Sequence, residues 1–119
     1  AAMRMVDIFD IKAASTDMEV SSLSGGNQQK VVLAKCFLTA PRILLLDEPT
    51  RGVDVGAKSE IYRIVSEFVA QGGAVLMISS ETEEVLGLAD RVVVMRDGAV
   101  AGLLDRSEMS SEKLLHLAA

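Results

Sequence analysis

Leu23-Ser24-Gly25-Gly26-Asn27-Gln28-Gln29-Lys30, followed by Ile43-Leu44-Leu45-Leu46-Asp47-Glu48-Pro49-Thr50, decides how this chain reads. The first stretch is a glycine-bearing loop that opens a helix, with Ser24 placed as its N-cap. The second is a short apolar run that ends in two adjacent carboxylates. A helix N-terminus suits phosphate, because free backbone N–H groups and the helix dipole both favour an anion. Carboxylates at the C-terminal end of a buried parallel strand lie where open α/β sheets bind their ligands. Together the two stretches point to nucleotide phosphate, a hard divalent cation and phosphoryl chemistry.

Working outward, residues 1–11 read as the end of a helix and residues 12–23 as a polar loop. The helix opened by Ser24 runs to about Thr39, and Pro41 stops it. Arg42 to Asp47 is a continuous apolar strand, the pattern of burial on both faces. Thr50 to Gly56 is a loop. Ala57 to Gln71 is the clearest helix, with Ile61, Ile64, Val65, Phe68 and Val69 on one apolar stripe destined for the core. Gly72-Gly73 ends it. Ala74 to Ser79 reads as a second buried strand, so strand, helix and strand predict a right-handed βαβ unit with parallel strands.

Glu81 to Leu88 is a short helix. Arg91 to Met95 and Ala99 to Leu103 flank Arg96-Asp97-Gly98, and an Asp-Gly between apolar runs signals a hairpin. Ser110 to Leu117 is a terminal helix with Ser110 as N-cap. The fold class is therefore α/β, with a mostly parallel sheet and a C-terminal β-hairpin.

The chain has 119 residues, half of them apolar and only 3% aromatic, so its core rests on Val, Ile, Leu, Ala and Met. The net charge of −5 argues against a broad basic face, and no nucleic-acid partner is expected. A single cysteine, Cys36, excludes an internal disulfide and a Cys-rich metal site, and fits a reducing compartment. On its helix Cys36 reads as a packed small hydrophobe. His116 reads as structural or solvated. No apolar run approaches the roughly 18–20 residues needed to span a bilayer, and Arg4, Asp7 and Asp10 break up any signal-peptide pattern. No Gly-x-x-x-x-Gly-Lys-Ser/Thr loop occurs, although the usual cradle for β- and γ-phosphates needs one.

Leu23 through Lys30 resembles the signature motif of ABC-type ATPases, and Ile43 through Pro49 resembles their Walker B strand. Gly52-Val53-Asp54-Val55 is similar to the D-loop, and Ile78-Ser79-Ser80-Glu81 occupies the place of the switch-histidine motif. The order and spacing are those of the family from about Leu23 to Gly102. Ser-Gly-Gly-Asn-Gln-Gln-Lys, Glu-Pro-Thr-Arg-Gly-Val-Asp-Val-Gly-Ala-Lys and Ile-Ser-Ser-Glu together resemble the second ATPase half of bacterial monosaccharide importers of the ribose, xylose and galactose type. The resemblance implies a partial RecA-like P-loop NTPase domain that lacks the phosphate-loop half. Residues 1–23 would be the end of the helical subdomain and a loop, and residues 24–119 the C-terminal part of the nucleotide-binding domain.

The resemblance also implies roles. Asp47 would hold Mg²⁺ through water, and Glu48 would polarise the attacking water as general base. Ser24, Gly25 and Gly26 would serve the γ-phosphate of ATP held by the opposite domain, and Asp54 would make a D-loop contact across the dimer. Gln28 joins the nucleotide-binding set on weaker grounds, since it and Lys30 read as surface residues of the helix. Ser80 departs from the family, most of whose members carry histidine there; it reads equally as a helix cap for Glu81 onward. The implied cofactors are ATP and Mg²⁺. The implied partners are transmembrane permease subunits, a second ABC ATPase half or subunit and, indirectly, a periplasmic sugar-binding protein, at the cytoplasmic face of a bacterial inner membrane. Two rivals are a non-transport ABC ATPase, opposed by the acidic charge and the Pro49-Thr50-Arg51-Gly52 continuation, and a non-hydrolysing regulatory module, opposed by Glu48 and mildly favoured by Ser80.

Overall fold

Ile43–Asp47 (β1) and Ala74–Ile78 (β2) pair in parallel, with Ile43 opposite Ala74 and Asp47 opposite Ile78, in a computed structural model that describes residues 1–119. The chain divides into two compact units, Ala1–Ile78 and Ser79–Ala119. In the first, helices Ala2–Ile8 (α1) and Gly25–Phe37 (α2) precede β1, and helix Val55–Ala70 (α3) connects β1 to β2. The predicted strand–helix–strand order and parallel pairing are both present.

The core of this unit joins both strands to the helices. Leu44 and Leu46 pack with Leu33 and Ala34 of α2 and with Ile61, Ile64 and Val65 of α3. The chain's three phenylalanines link the helices edge to face: the Phe9 and Phe37 rings, and the Phe37 and Phe68 rings, each stand 5.1 Å apart. α3 ends in a Schellman motif. Gly73 N–H donates to the Phe68 carbonyl and Gly72 N–H to the Val69 carbonyl, both at 3.0 Å. Gly72 has φ of 96°, a value only glycine reaches without strain, and a Cβ on Gly73 would overlap the Phe68 ring.

The strands are not buried on both faces. Burial alternates along β1, and Ile43, Leu45, Leu76 and Ile78 share an exposed face on which Leu45 is 74% accessible. The helices of this unit cover the opposite face alone, so a continuous apolar run here does not mark two-sided burial. Val69, at the end of the α3 stripe, is also exposed. Cys36 is exposed rather than packed, because the buried stripe of α2 runs through Gly26, Lys30, Leu33 and Ala34 and leaves position 36 outside it.

In the second unit, helix Thr82–Leu88 (α4) precedes the antiparallel hairpin of Arg91–Arg96 (β3) and Ala99–Asp105 (β4). Asp97 and Gly98 form its two-residue turn with φ of 50° and 77°, as a type I′ turn requires. A register shift between Val94 and Met95 leaves Ala101 without a partner in the ladder, a β-bulge. Helix Ser111–Ala118 (α5), capped by the Ser110 hydroxyl, seats Leu114 against Val94 and Leu104.

Candidate functional site

In the first unit two helix N-termini open onto one polar cleft of about 250 Å³, lined among others by Ser24, Gly26, Asn27, Lys30, Asp54 and Glu60. Ser24 caps α2, as its position in sequence predicts. Asp54 caps α3, its carboxylate accepting from the Ala57 N–H at 2.8 Å. α3 thus starts at Val55, two residues before the expected Ala57, because the aspartate turns the chain itself. The two helices meet at Gly26, where a Cβ would overlap the Ala57 methyl. Glycine is required there by α3 behind it, while Gly25 is exposed beside the loop that carries Gly52.

The Ser24 hydroxyl accepts from the Asn27 side-chain amide at 2.9 Å and from the Asn27 backbone N–H at 3.4 Å. With its acceptor lone pairs engaged, the hydroxyl has its proton left to donate outward. That is the polarity an oxyanion needs. The other end of the Asn27 side chain, Oδ1, accepts from the Lys12 N–H at 2.9 Å.

Lys30 is not a surface residue. It is 2% exposed, ion-paired with Glu60 of α3, and its ammonium donates to the Asp10 carbonyl at 2.9 Å. Its spacing from Gly26, Leu33 and Ala34 on the buried stripe is the signal that reveals this. Gln28 is half-buried and its amide donates back to the Leu23 carbonyl at 2.8 Å, away from the residues lining the cleft.

Asp47 and Glu48 stand at the C-terminal end of β1. Asp47 is exposed and Glu48 half-buried. Glu48 has φ of 46°, held by its N–H donating to the Ile78 carbonyl at 2.9 Å and by its carbonyl accepting from the Arg51 N–H at 3.1 Å. A left-handed backbone costs an L-residue about 1–2 kcal/mol. Such strain in a non-glycine residue gathers at functional sites. Buried Pro49 and Thr50 anchor the turn behind it. No three His, Cys, Asp or Glu side chains gather into a metal cage. The exposed Asp47 carboxylate offers hard oxygen donors that fit Mg²⁺, which binds through one or two carboxylates together with phosphate and water.

In the second unit Ser80 is exposed and does not cap α4, whose N-cap is Glu81. The neighbouring hydroxyl is engaged instead, in the turn that leads into the helix. Ser79 Oγ accepts from the Glu81 N–H at 3.0 Å and donates to the carboxylate of Glu84, which is 1% exposed.

Residues 1–51 match the family described as ABC transporter. The chain is 53% identical to ribose import ATP-binding protein RbsA 1 of Rhizobium meliloti over 111 residues, 93% of this chain and 22% of that protein. It is 54% identical to ribose import ATP-binding protein RbsA of Bacillus cereus over 114 residues, 96% of this chain and 23% of that one. The chain belongs to the ABC transporter ATP-binding domains.

Solved ABC cassettes agree. The ADP conformation of MJ1267, an ATP-binding cassette of an ABC transporter, superposes with a TM-score of 0.81 at 26% identity, over 98% of this chain and 47% of that one. An ABC ATPase domain is a nucleotide-binding domain, which matches the polarity of the cleft. The chain spans about a fifth of the length of the ribose import relatives it matches. Its α/β architecture, a parallel pair and an antiparallel hairpin, is that of part of such a cassette.

Proposed function

We propose that this chain is part of the ATP-hydrolysing subunit of a bacterial monosaccharide importer. The observation that carries this reading is the identity of 53–54%, over nearly all of the chain, to proteins named for ribose import. The site supports it. Ser24, as an outward hydroxyl donor at a helix N-terminus, suits the γ-phosphate of ATP held by a second ATPase half, with Gly25 and Gly26 keeping the backbone low at that point. Asp54 makes the contact between the two halves.

Asp47 would hold Mg²⁺ through water, and the ion would supply charge neutralisation at the transferring phosphate. Glu48 accepts the proton of the attacking water. The strained backbone of Glu48 supports that assignment, since positive φ at a non-glycine residue asks for a reason. Gln28, turned to Leu23, supports the loop from behind. The subunit works at the cytoplasmic face of the inner membrane beneath transmembrane permease subunits, and a periplasmic sugar-binding protein delivers the sugar from outside. No helix is long and apolar enough to cross a membrane, which fits a peripheral subunit.

Ser80 favours a second reading, a half-site that binds ATP and turns it over slowly, because serine does not titrate near neutrality as histidine does. The test of the transport reading is uptake of labelled ribose, galactose and xylose by cells deleted for the gene. Loss of uptake of one sugar, restored by the gene and not by its Glu48→Gln variant, supports import. Unchanged uptake of all three would remove the support for it.

A further inference from the structure

The one buried ammonium of the first unit sits beneath the loop that carries Ser24. Lys30 Nζ pairs with Glu60 of α3 and donates to the Asp10 carbonyl, so one side chain ties α2 both to α3 and to the turn after α1. That turn is strained, with Asp10 at φ of 47°, and it leads into Lys12, whose N–H holds the Asn27 side chain. Asn27 in turn holds the Ser24 hydroxyl. The contacts form a continuous path: Glu60, Lys30, Asp10, Lys12, Asn27, Ser24.

We infer that Lys30 is a positioning residue that acts through this path to keep the Ser24 hydroxyl fixed as an outward donor. A buried charge is costly to desolvate, and an apolar side chain of similar volume would pack on the α2 stripe at less expense. An apolar residue could not donate to the Asp10 carbonyl. The inference rests on the nucleotide-binding role proposed for Ser24.

The experiment is a mutant cycle on the ATPase activity of the full-length protein with its permease, with melting temperature read alongside. Lys30→Met alone takes a partner from Glu60, which is 34% exposed and can turn to water, so its cost to folding is expected to be modest. Lys30→Met/Glu60→Met removes both charges of a pair in which Lys30 is buried and Glu60 is 34% exposed, and replacing such a pair by apolar groups is expected to leave stability little changed. The double variant is expected to melt near the wild-type temperature while kcat/KM falls about tenfold to a hundredfold, the scale of a misplaced catalytic contact. Lys30→Arg, which keeps a donor and a charge, is expected to recover most of the activity. In a Ser24→Ala background the double variant is expected to add little further loss, because both changes act on one hydroxyl.

Wild-type kcat/KM in the double variant would overturn the inference. So would a loss that simply multiplies with that of Ser24→Ala, or a double variant that does not fold, which would make the pair an element of stability alone. Ser24→Ala with unimpaired turnover would instead count against the proposed role of Ser24 itself.

Discussion

Gly26 and Ala57 touch where α2 and α3 begin, and a methyl group added to the glycine would occupy the space of the alanine Cβ. This contact brings Ser24 and Asp54, the two caps, to one cleft. Gly26→Ala should therefore destabilise the protein by about 1–3 kcal/mol, the cost of overpacking a close contact. Ala57→Gly in the same protein should return part of that loss, since it vacates the space. Thermal melting of the two single variants and the double variant checks this; an unaltered melting temperature for Gly26→Ala would show that the helices separate freely.

Glu48 offers a separate test of strain. Glycine relieves a left-handed backbone worth about 1–2 kcal/mol and itself costs about 0.5–1 kcal/mol of chain entropy. Glu48→Gly should thus raise stability by about 0–1.5 kcal/mol while removing hydrolysis, the trade expected where a functional residue is held in strain. Chemical denaturation would show it as a higher midpoint. A clear loss of stability would mean that the Glu48 side chain contributes more to folding than its backbone costs.

Ser79 and Ser80 should behave differently despite being neighbours. Ser79→Ala removes one hydrogen-bond partner of the buried Glu84 carboxylate and one of the Glu81 N–H, and should cost about 1–3 kcal/mol, since a hydrogen bond to a charged group is among the stronger ones. Ser80→Ala should stay within about 0.5 kcal/mol, as an exposed substitution does, and should change turnover far less than Glu48→Gln. Melting curves and steady-state ATPase rates separate the two. Equal damage from Ser80→Ala and Glu48→Gln would make the Ser80 hydroxyl an active phosphate contact.

The exposed sheet face predicts how residues 1–119 behave alone. Ile43, Leu45, Leu76 and Ile78 present an apolar patch on a two-stranded sheet with open edges, and such patches associate. A dilution series in analytical ultracentrifugation should show self-association, weakened by Leu45→Lys. The same polypeptide should bind Mg-ATP very weakly, because its sequence holds no phosphate-cradling loop. A monomer at all concentrations, or micromolar affinity by calorimetry, would contradict these expectations.

The elements of this fold were legible where the signal is local. Ser24 and Ser110 announce helix starts, Gly72-Gly73 a helix end, and Asp97-Gly98 a two-residue turn. What escaped was set by distant parts of the chain. The partners of Lys30 lie twenty residues before it and thirty after it, so its burial shows only as a lysine on an apolar stripe. An apolar strand reads the same whether one face or two are covered, so the sequence carries no sign of the exposure of Leu45. Between adjacent serines, the backbone direction after β2 decides which hydroxyl turns inward, and residue type alone carries no such information.

In the proposed function Glu48, at the end of β1, is the base that activates water for ATP hydrolysis. The most direct measurement is single-turnover hydrolysis by the full-length protein with its permease, comparing wild type with Glu48→Gln, beside equilibrium binding of ATP. Glutamine keeps the shape and cannot take the proton. Hydrolysis at this half's site should fall on the order of 10²–10⁴-fold, with ATP affinity unchanged within about a factor of two to three, since uniform binding is untouched. Hydrolysis at this site at the wild-type rate in Glu48→Gln would contradict the assignment.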